Sequence, residues 1–156
     1  MEIKKEYMKK TIDFGNGKQV SLDMGRDLQV DEQNLSKEFA EQAARYGYLA
    51  VITEMAFAKR DELEHELDQE KARAYHRLKG GDYLVLFGLK PTEDGLKHAV
   101  RIDETVVALQ SAYLKARHDA GTLYAFKSAF EQRKEMLISL GADQRKEWAA
   151  DKLRTQ

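Results

Sequence analysis

Two hydrophobic periods divide the chain, and each predicts a different kind of secondary structure. Apolar residues alternate with polar ones over Thr11–Phe14 and again over Gln19–Met24, with the turn residues Gly15-Asn16-Gly17-Lys18 between them. Alternation with a period of two is typical of strands, and a short glycine-rich connection joins antiparallel neighbours. The pattern predicts a β-hairpin over residues 11–24. Because an isolated hairpin is barely stable in water, we expect it to pack on helices or a second subunit.

From Leu35 onwards apolar residues recur every three or four positions, which is the period of an amphipathic helix. This pattern predicts one long helix over residues 35–79, ended by Gly80-Gly81. The stretch Ala43–Ala58 is apolar on most sides, which predicts burial against more than one neighbour. A helix of this length with a thin apolar stripe usually lies against an antiparallel partner or in an oligomer.

The connection after this helix has two parts. Residues 82–90 (DYLVLFGLK) are apolar but too short for periodicity to decide their conformation, so a short buried strand and a covered connection both remain open. Pro91 ends the secondary structure before it, and Thr92 is the predicted N-cap of a short helix over residues 92–100.

A second long helical pattern fills the C-terminal third of the chain. Asp103 predicts the N-cap of a helix over residues 103–140, in which Gly121 is a candidate kink. Gly141 predicts its C-cap, and a short C-terminal helix over residues 143–153 follows.

These elements predict a mainly α fold class: a long antiparallel helical hairpin with additional short helices and an N-terminal β-hairpin, in an oligomer. The composition agrees, because 34% charged residues and a single proline favour long, exposed helices. A chain of 156 residues suffices for one domain and is too short for two full ones, so we expect a single helical domain over residues 1–156.

The chain also limits compartment and partners. It has no cysteine, no leader-like N-terminus and no apolar run near the ~20 residues that cross a bilayer. We therefore expect a cytoplasmic protein without a membrane partner. A net charge of −1 gives no global attraction to nucleic acid, so any such site must be local or repeated in an oligomer.

Enzyme motifs are missing from the sequence, which has no phosphate-binding glycine loop, no nucleophile elbow and no thiol. Glu62 and His65 form the E-x-x-H unit of di-iron helical bundles, but such a site needs a second unit. The other three histidines lack a glutamate three residues earlier. We expect no enzyme, no metal and no cofactor, and interpret Glu62 and His65 as part of a solvated acidic face.

Charge reverses near the end of the first long helix. Residues 54–70 contain seven acids and two cations, whereas residues 71–79 contain four cations and no acid. On a helix, Lys71, Tyr75 and Lys79 share one side, and Arg73 and Arg77 form an i,i+4 pair on another.

Cations interleaved with aromatic rings suit single-stranded DNA, because charges track phosphates while rings stack on bases. The candidate DNA-binding residues of this segment are Lys71, Arg73, Tyr75, Arg77 and Lys79, and the candidate stacking rings are Tyr75, His76, Tyr83 and Phe87. The alternative is an ordinary helix end, where the macrodipole favours each cation by ~0.3–1 kcal/mol. Charge alone leaves both interpretations open.

A second basic cluster lies in Leu114-Lys115-Ala116-Arg117. If the long helices are antiparallel with Lys79 level with Asp103, then Lys115 is about level with Leu67. This register adds Lys115 and Arg117 to the DNA-binding candidates, within about two turns of the first cluster. The alternative is that they pair with the acids of the first long helix.

Three features follow one another over residues 28–81: Leu28-Gln29-Val30-Asp31 with the run Phe39–Tyr48 (FAEQAARYGY), then a long charged helix, then Lys71-Ala72-Arg73 with aromatics and glycine after it. This order resembles the UvsY-type recombination mediators of T-even and related bacteriophages. The first feature looks like that family's entry into its first helix, and Lys71-Ala72-Arg73 is similar to the family's lysine-alanine-arginine motif implicated in single-stranded DNA binding. The hairpin and residues 82–89 are extra to the family pattern. Because Leu114–Arg117 repeats the motif, which segment contacts DNA stays open.

The resemblance implies a non-enzymatic recombination mediator. Such proteins form ring-like homo-oligomers, bind single-stranded DNA, help displace single-strand-binding protein and help load a RecA-like recombinase. A phage-encoded mediator would act in the host cytoplasm. The alternative is a helical structural or adaptor protein of a phage that acts through protein–protein contacts without binding DNA.

Overall fold

The computed structural model describes residues 8–15 and 17–154, so Asn16 of the predicted turn and both chain ends lie outside the described residues. The fold is mainly α with an N-terminal β-hairpin, as predicted. A 3₁₀ turn, Glu32–Asn34, precedes α2, and a π-type turn, Leu78–Asp82, follows it. The strands and helices are β1 (Lys9–Asp13), β2 (Gln19–Asp23), α1 (Met24–Asp27), α2 (Leu35–Arg77), α3 (Tyr83–Phe87), α4 (Glu93–Ile102) and α5 (Glu104–Arg154).

The hairpin pairs β1 and β2 in an antiparallel register, with Ile12 opposite Val20. Ile12 and Leu22 are buried, so the apolar face that alternation predicts is the face that packs inward. Gly15 and Gly17 have φ angles of 83° and 73°, a left-handed conformation that glycine adopts without strain. The predicted β-hairpin is therefore confirmed.

Contacts group the chain into two compact units, and both long helices contribute to each. The first unit is Met1–Met55 with Gly121–Gln156, and the second is Ala56–Ala120. Large apolar side chains that are almost fully buried fill the first unit, namely Ile12, Leu123, Phe130 and Leu137. Residues from the hairpin and from α5 are thus among the most deeply buried of this unit.

A buried arginine organises the polar part of the first unit. The Arg133 side chain is only 1% exposed, and its guanidinium pairs with the carboxylate of Glu38. It also donates to Gln42 Oε1 at 2.5 Å and to the backbone carbonyl of Gln29 at 3.0 Å. A buried charge is tolerated only when it is paired and hydrogen-bonded, and this network meets both conditions.

The second unit holds the basic end of α2 in place. Its buried core comprises Leu67, Ala74, Leu78, Leu96, Ala99, Val100 and Val106, from α2, the π-type turn, α4 and α5. Thr92 Oγ1 accepts the backbone N–H of Gly95 at 3.1 Å, which confirms the predicted N-cap of α4. Asp103 Oδ1 accepts the N–H groups of Thr105 and Val106 at 3.1 and 3.3 Å, so the predicted cap of α5 is also correct.

The predicted C-cap at Gly141 is wrong, because α5 continues through it to Arg154 and includes residues 143–153. Gly141 is buried, and a Cβ atom there would lie 3.2 Å from the Phe39 ring. The glycine therefore allows a close approach of Phe39 rather than ending the helix. At Gly121, the candidate kink, α5 is likewise unbroken.

Neither alternative for residues 82–90 is correct. Gly81, with φ 140°, breaks the helix, and Tyr83–Phe87 form one further helical turn that ends at Gly88 in the left-handed conformation. Most side chains of this turn are exposed, with Val85 at 85% and Leu86 at 67%. An apolar sequence run does not distinguish a buried segment from an exposed apolar surface, which is why the sequence predicted burial here.

Candidate nucleic-acid interface

The cations at the end of α2 lie on two faces, as the helical spacing predicts. On one face, Lys71 and Tyr75 of α2 and Lys79 of the π-type turn follow one another at intervals of about one turn, and we call these three residues the α2 strip. Lys79 Nζ lies 5.6 Å from the centre of the Tyr75 ring, within the range of a cation–π contact. The Tyr75 hydroxyl donates to Glu93 Oε1 at 2.9 Å, which fixes the ring between α2 and α4.

On the other face the cations are paired with acids. Glu70, whose side chain is 12% exposed, lies 3.4 Å from Arg73 and 3.7 Å from Arg77. Arg77 also contacts Asp82 at 3.9 Å and Asp103 at 2.6 Å. Three carboxylates around one guanidinium neutralise its charge locally, so this face attracts a phosphate less than the α2 strip does.

Within the α2 strip, Lys71 has one acidic neighbour and Lys79 has none among the described residues. Lys71 Nζ lies 3.2 Å from Asp68 Oδ1, and both side chains are well exposed, at 43% and 68%. Exposed pairs of this kind contribute only about 0–1 kcal/mol. A DNA phosphate therefore competes with Asp68 for this lysine at little cost.

The second cluster is also open to solvent. Lys115 and Arg117 are exposed, and neither forms an ion pair within the part of the chain that the structure describes. Tyr113 donates to Glu64 at 3.2 Å and Arg77 donates to Asp103 at 2.6 Å, so these parts of α2 and α5 are antiparallel, as predicted. The Tyr113–Glu64 contact puts Lys115 about level with Glu62, roughly one and a half turns from the predicted Leu67 and correspondingly further from Lys71.

The candidate stacking rings differ in their surroundings. His76 is exposed and meets Tyr75 edge to face, with 5.8 Å between ring centres. Tyr83 is half-buried against the core of the second unit and lies 4.7 Å from the Phe87 ring. Gly95 leaves room for its hydroxyl, since a Cβ there would lie 2.5 Å from that oxygen. Tyr75 packs against the same core, so both tyrosines are held in place, and only Tyr75 belongs to the α2 strip.

Two cations that the sequence analysis did not single out lie beside the α2 strip. Lys97 and Arg101 of α4 line a groove of about 590 Å³ together with Lys71 and Tyr75. Both are exposed and lack an ion pair among the described residues. Their i,i+4 spacing was the available signal, although Arg101 lies one residue beyond the short helix predicted over residues 92–100. It is weak, because no aromatic residue accompanies the pair.

Glu62 and His65 contact other side chains of the same helix. Glu62 pairs with Lys59 at 2.9 Å, and His65 Nε2 lies 2.7 Å from the Gln69 side-chain nitrogen. Across residues 8–15 and 17–154, no three His, Asp or Glu side chains come together in a group that would hold a metal ion. Nor does any helix of these residues have the length and apolarity that a membrane span requires.

Comparison of the chain with protein-family models, with curated proteins and with solved structures gave no match. The resemblance to UvsY-type mediators therefore stays a prediction from the residues that carry it. DNA binding by Lys71, Arg73, Tyr75, Arg77, Lys79, Lys115 and Arg117 stays a prediction as well.

Proposed function

We propose that this protein is a non-enzymatic, single-stranded DNA-binding recombination mediator that helps load a RecA-like recombinase. The observation that carries the proposal is the α2 strip, in which two lysines flank a tyrosine on a solvent-accessible helix face. Phosphates attract the lysines without regard to sequence, and an aromatic face stacks on any base. This chemistry suits a protein that must bind whatever strand recombination exposes.

Self-association is part of the proposal, because one patch on a chain with a net charge of −1 binds DNA weakly alone. A face of α2 in the first unit is exposed and uncharged, with Tyr48 at 52% and Val51 at 60% exposure. It consists of Ala40, Ala44, Gly47, Tyr48, Val51 and Met55. Uncovered apolar residues at helical spacing favour packing against another subunit.

A ring-like homo-oligomer built through such contacts repeats the α2 strip along a bound strand. Repetition raises the affinity by effective concentration without any new kind of contact. Displacement of single-strand-binding protein and loading of the recombinase are further parts of the proposal, and they rest on the family resemblance. So does action in the cytoplasm of a phage-infected host.

A second function has its own supporting observation. Arg73 and Arg77 pair with acids of their own chain, as expected of a helix end in a structural or adaptor protein that does not bind DNA. The exposed apolar turn at α3 would also serve protein contacts. The two functions differ in whether the α2 strip binds a polynucleotide.

Fluorescence anisotropy of a labelled oligothymidylate distinguishes them. The test variant is Lys71→Ala/Lys79→Ala. The control is Lys37→Ala/Lys146→Ala, which removes two exposed lysines of the first unit, each paired with a carboxylate. We expect the test variant alone to lose affinity, by roughly tenfold at low salt. Equal affinities of both variants and the wild type would exclude the α2 strip as the DNA-binding surface, and a wild type without measurable affinity would favour the adaptor function.

A further inference from the structure

The groove beside the α2 strip contains the parts of a nucleotide site. Lys71, Lys97 and Arg101 bring cations from two helices to one groove, and no acid is among the residues that line it. Its volume of about 590 Å³ lies within the range of small-molecule sites, about 300–1,000 Å³. The groove is wide enough for a group larger than a lone phosphate.

Three valines give the groove an apolar surface. Val100 lies on α4 and Val106 and Val107 lie on α5, and Val100 and Val106 belong to the buried core of the second unit. This surface is therefore fixed in place by packing. An apolar floor beneath a cationic rim matches a ligand with one charged part and one flat, weakly polar part.

Two polar side chains of α5, Gln110 and Ser111, complete the lining. The Ser111 hydroxyl donates to the backbone carbonyl of Val107 at 3.0 Å, so its oxygen lone pairs remain available as acceptors. The Gln110 amide can both donate and accept, which allows it to bond the edge of any base. The α5 side thus offers adaptable hydrogen bonds without a fixed pattern.

Resting on the proposed function, we propose that this groove binds one nucleotide unit of single-stranded DNA. Lys97 and Arg101 contact the phosphodiester, and the base or sugar lies on the valine floor. Arginine suits the phosphate because its guanidinium donates two parallel hydrogen bonds. Tyr75 forms one wall of the groove, and the next nucleotide of the strand contacts the α2 strip there. The bound DNA thus runs from α4 to α2.

The test uses the full-length protein and a fluorescent oligothymidylate. Lys97→Ala/Arg101→Ala removes two exposed cations of α4. The matched control Lys18→Ala/Arg154→Ala removes one exposed lysine and one exposed arginine elsewhere. We expect at least a roughly fivefold loss of affinity for the groove variant and a salt slope shallower by about 1.4, with little change for the control. Thermal unfolding of each variant establishes that it is folded.

Photo-cross-linking gives a second readout. An oligonucleotide that carries 5-iododeoxyuridine should cross-link to Tyr75 in the wild type, and less so in the groove variant. If the wild type binds DNA but the groove variant binds equally well and cross-links lie elsewhere, the groove inference is overturned and the proposed function stands. If the wild type does not bind DNA, both fall.

Discussion

Arg77 donates a 2.6 Å hydrogen bond to Asp103 Oδ2, while the other oxygen of this carboxylate caps the first turn of α5. One aspartate thus joins the end of α2 to the start of α5 within the second unit. Arg77 was a DNA-binding candidate because it belongs to the basic run. Its surroundings favour a structural role.

Replacement of Arg77 should therefore affect stability more than DNA binding. Arg77→Ala leaves Asp103 and Glu70 without this shared partner, and both carboxylates are largely shielded from water, at 17% and 12% exposure. We expect the free energy of unfolding in urea to fall by about 1–2 kcal/mol. Lys79→Ala is the comparison, because Lys79 has no carboxylate partner among the described residues. An Arg77→Ala protein of wild-type stability that binds oligonucleotide poorly would reverse this assignment.

Two glycines should respond oppositely to alanine. Gly121 lies inside α5, and no atom lies within 4 Å of the position that an alanine Cβ would occupy, so Gly121→Ala should stabilise the protein by about 0.5–1 kcal/mol. Gly81 has φ 140°, so Gly81→Ala should destabilise it by about 1–3 kcal/mol. Chemical denaturation measures both changes. A destabilising Gly121→Ala would mean that α5 bends at this point.

The helix ends show how far the sequence predicts the fold. The hydrophobic period predicted the long helices, and Thr92 and Asp103 predicted two helix starts, because periodicity and capping depend on residues that are close in sequence. Gly141 was misassigned because its role depends on Phe39, which is distant in sequence. The groove was missed for the same reason, since only the packing of α4 brings Lys97 and Arg101 to Lys71.

The Arg133 network should make stability depend on pH. Partial burial raises the pKa of Glu38, but hydrogen bonds from Arg133 and the Asp31 backbone, with the charge of Arg133, lower this pKa overall. A lowered folded-state pKa stabilises the fold above the unfolded pKa, about 4.3, and this contribution disappears as pH falls through the folded pKa.

Glu38→Gln isolates that contribution. The variant should have a lower Tm than the wild type at pH 7, and the difference should shrink below about pH 4, where wild-type Glu38 also becomes neutral. Calorimetry between about pH 3 and pH 7 measures the difference in Tm. The titration of the other carboxylates affects both proteins alike and therefore largely cancels in this difference. A difference in Tm that stays constant over this range would argue against the ion pair.

The uncharged face of α2 should control assembly. Val51→Glu places a charge at a position that is 60% exposed in the single chain, so the fold should tolerate it while self-association weakens. Sedimentation velocity should show a lower mass, and DNA affinity should fall with it. Gln132→Glu adds the same charge at an exposed position of α5 and should leave the mass unchanged. If the wild type is a monomer, the proposed ring is wrong.

The salt dependence of single-stranded DNA binding tests the central claim most directly. The logarithm of the wild-type association constant should fall linearly with the logarithm of salt concentration, by about 0.7 for each phosphate contacted. Lys71→Ala/Lys79→Ala should reduce that slope by about 1.4. An affinity that is absent, or indifferent to both salt and these two lysines, would contradict a DNA-binding role for the α2 strip.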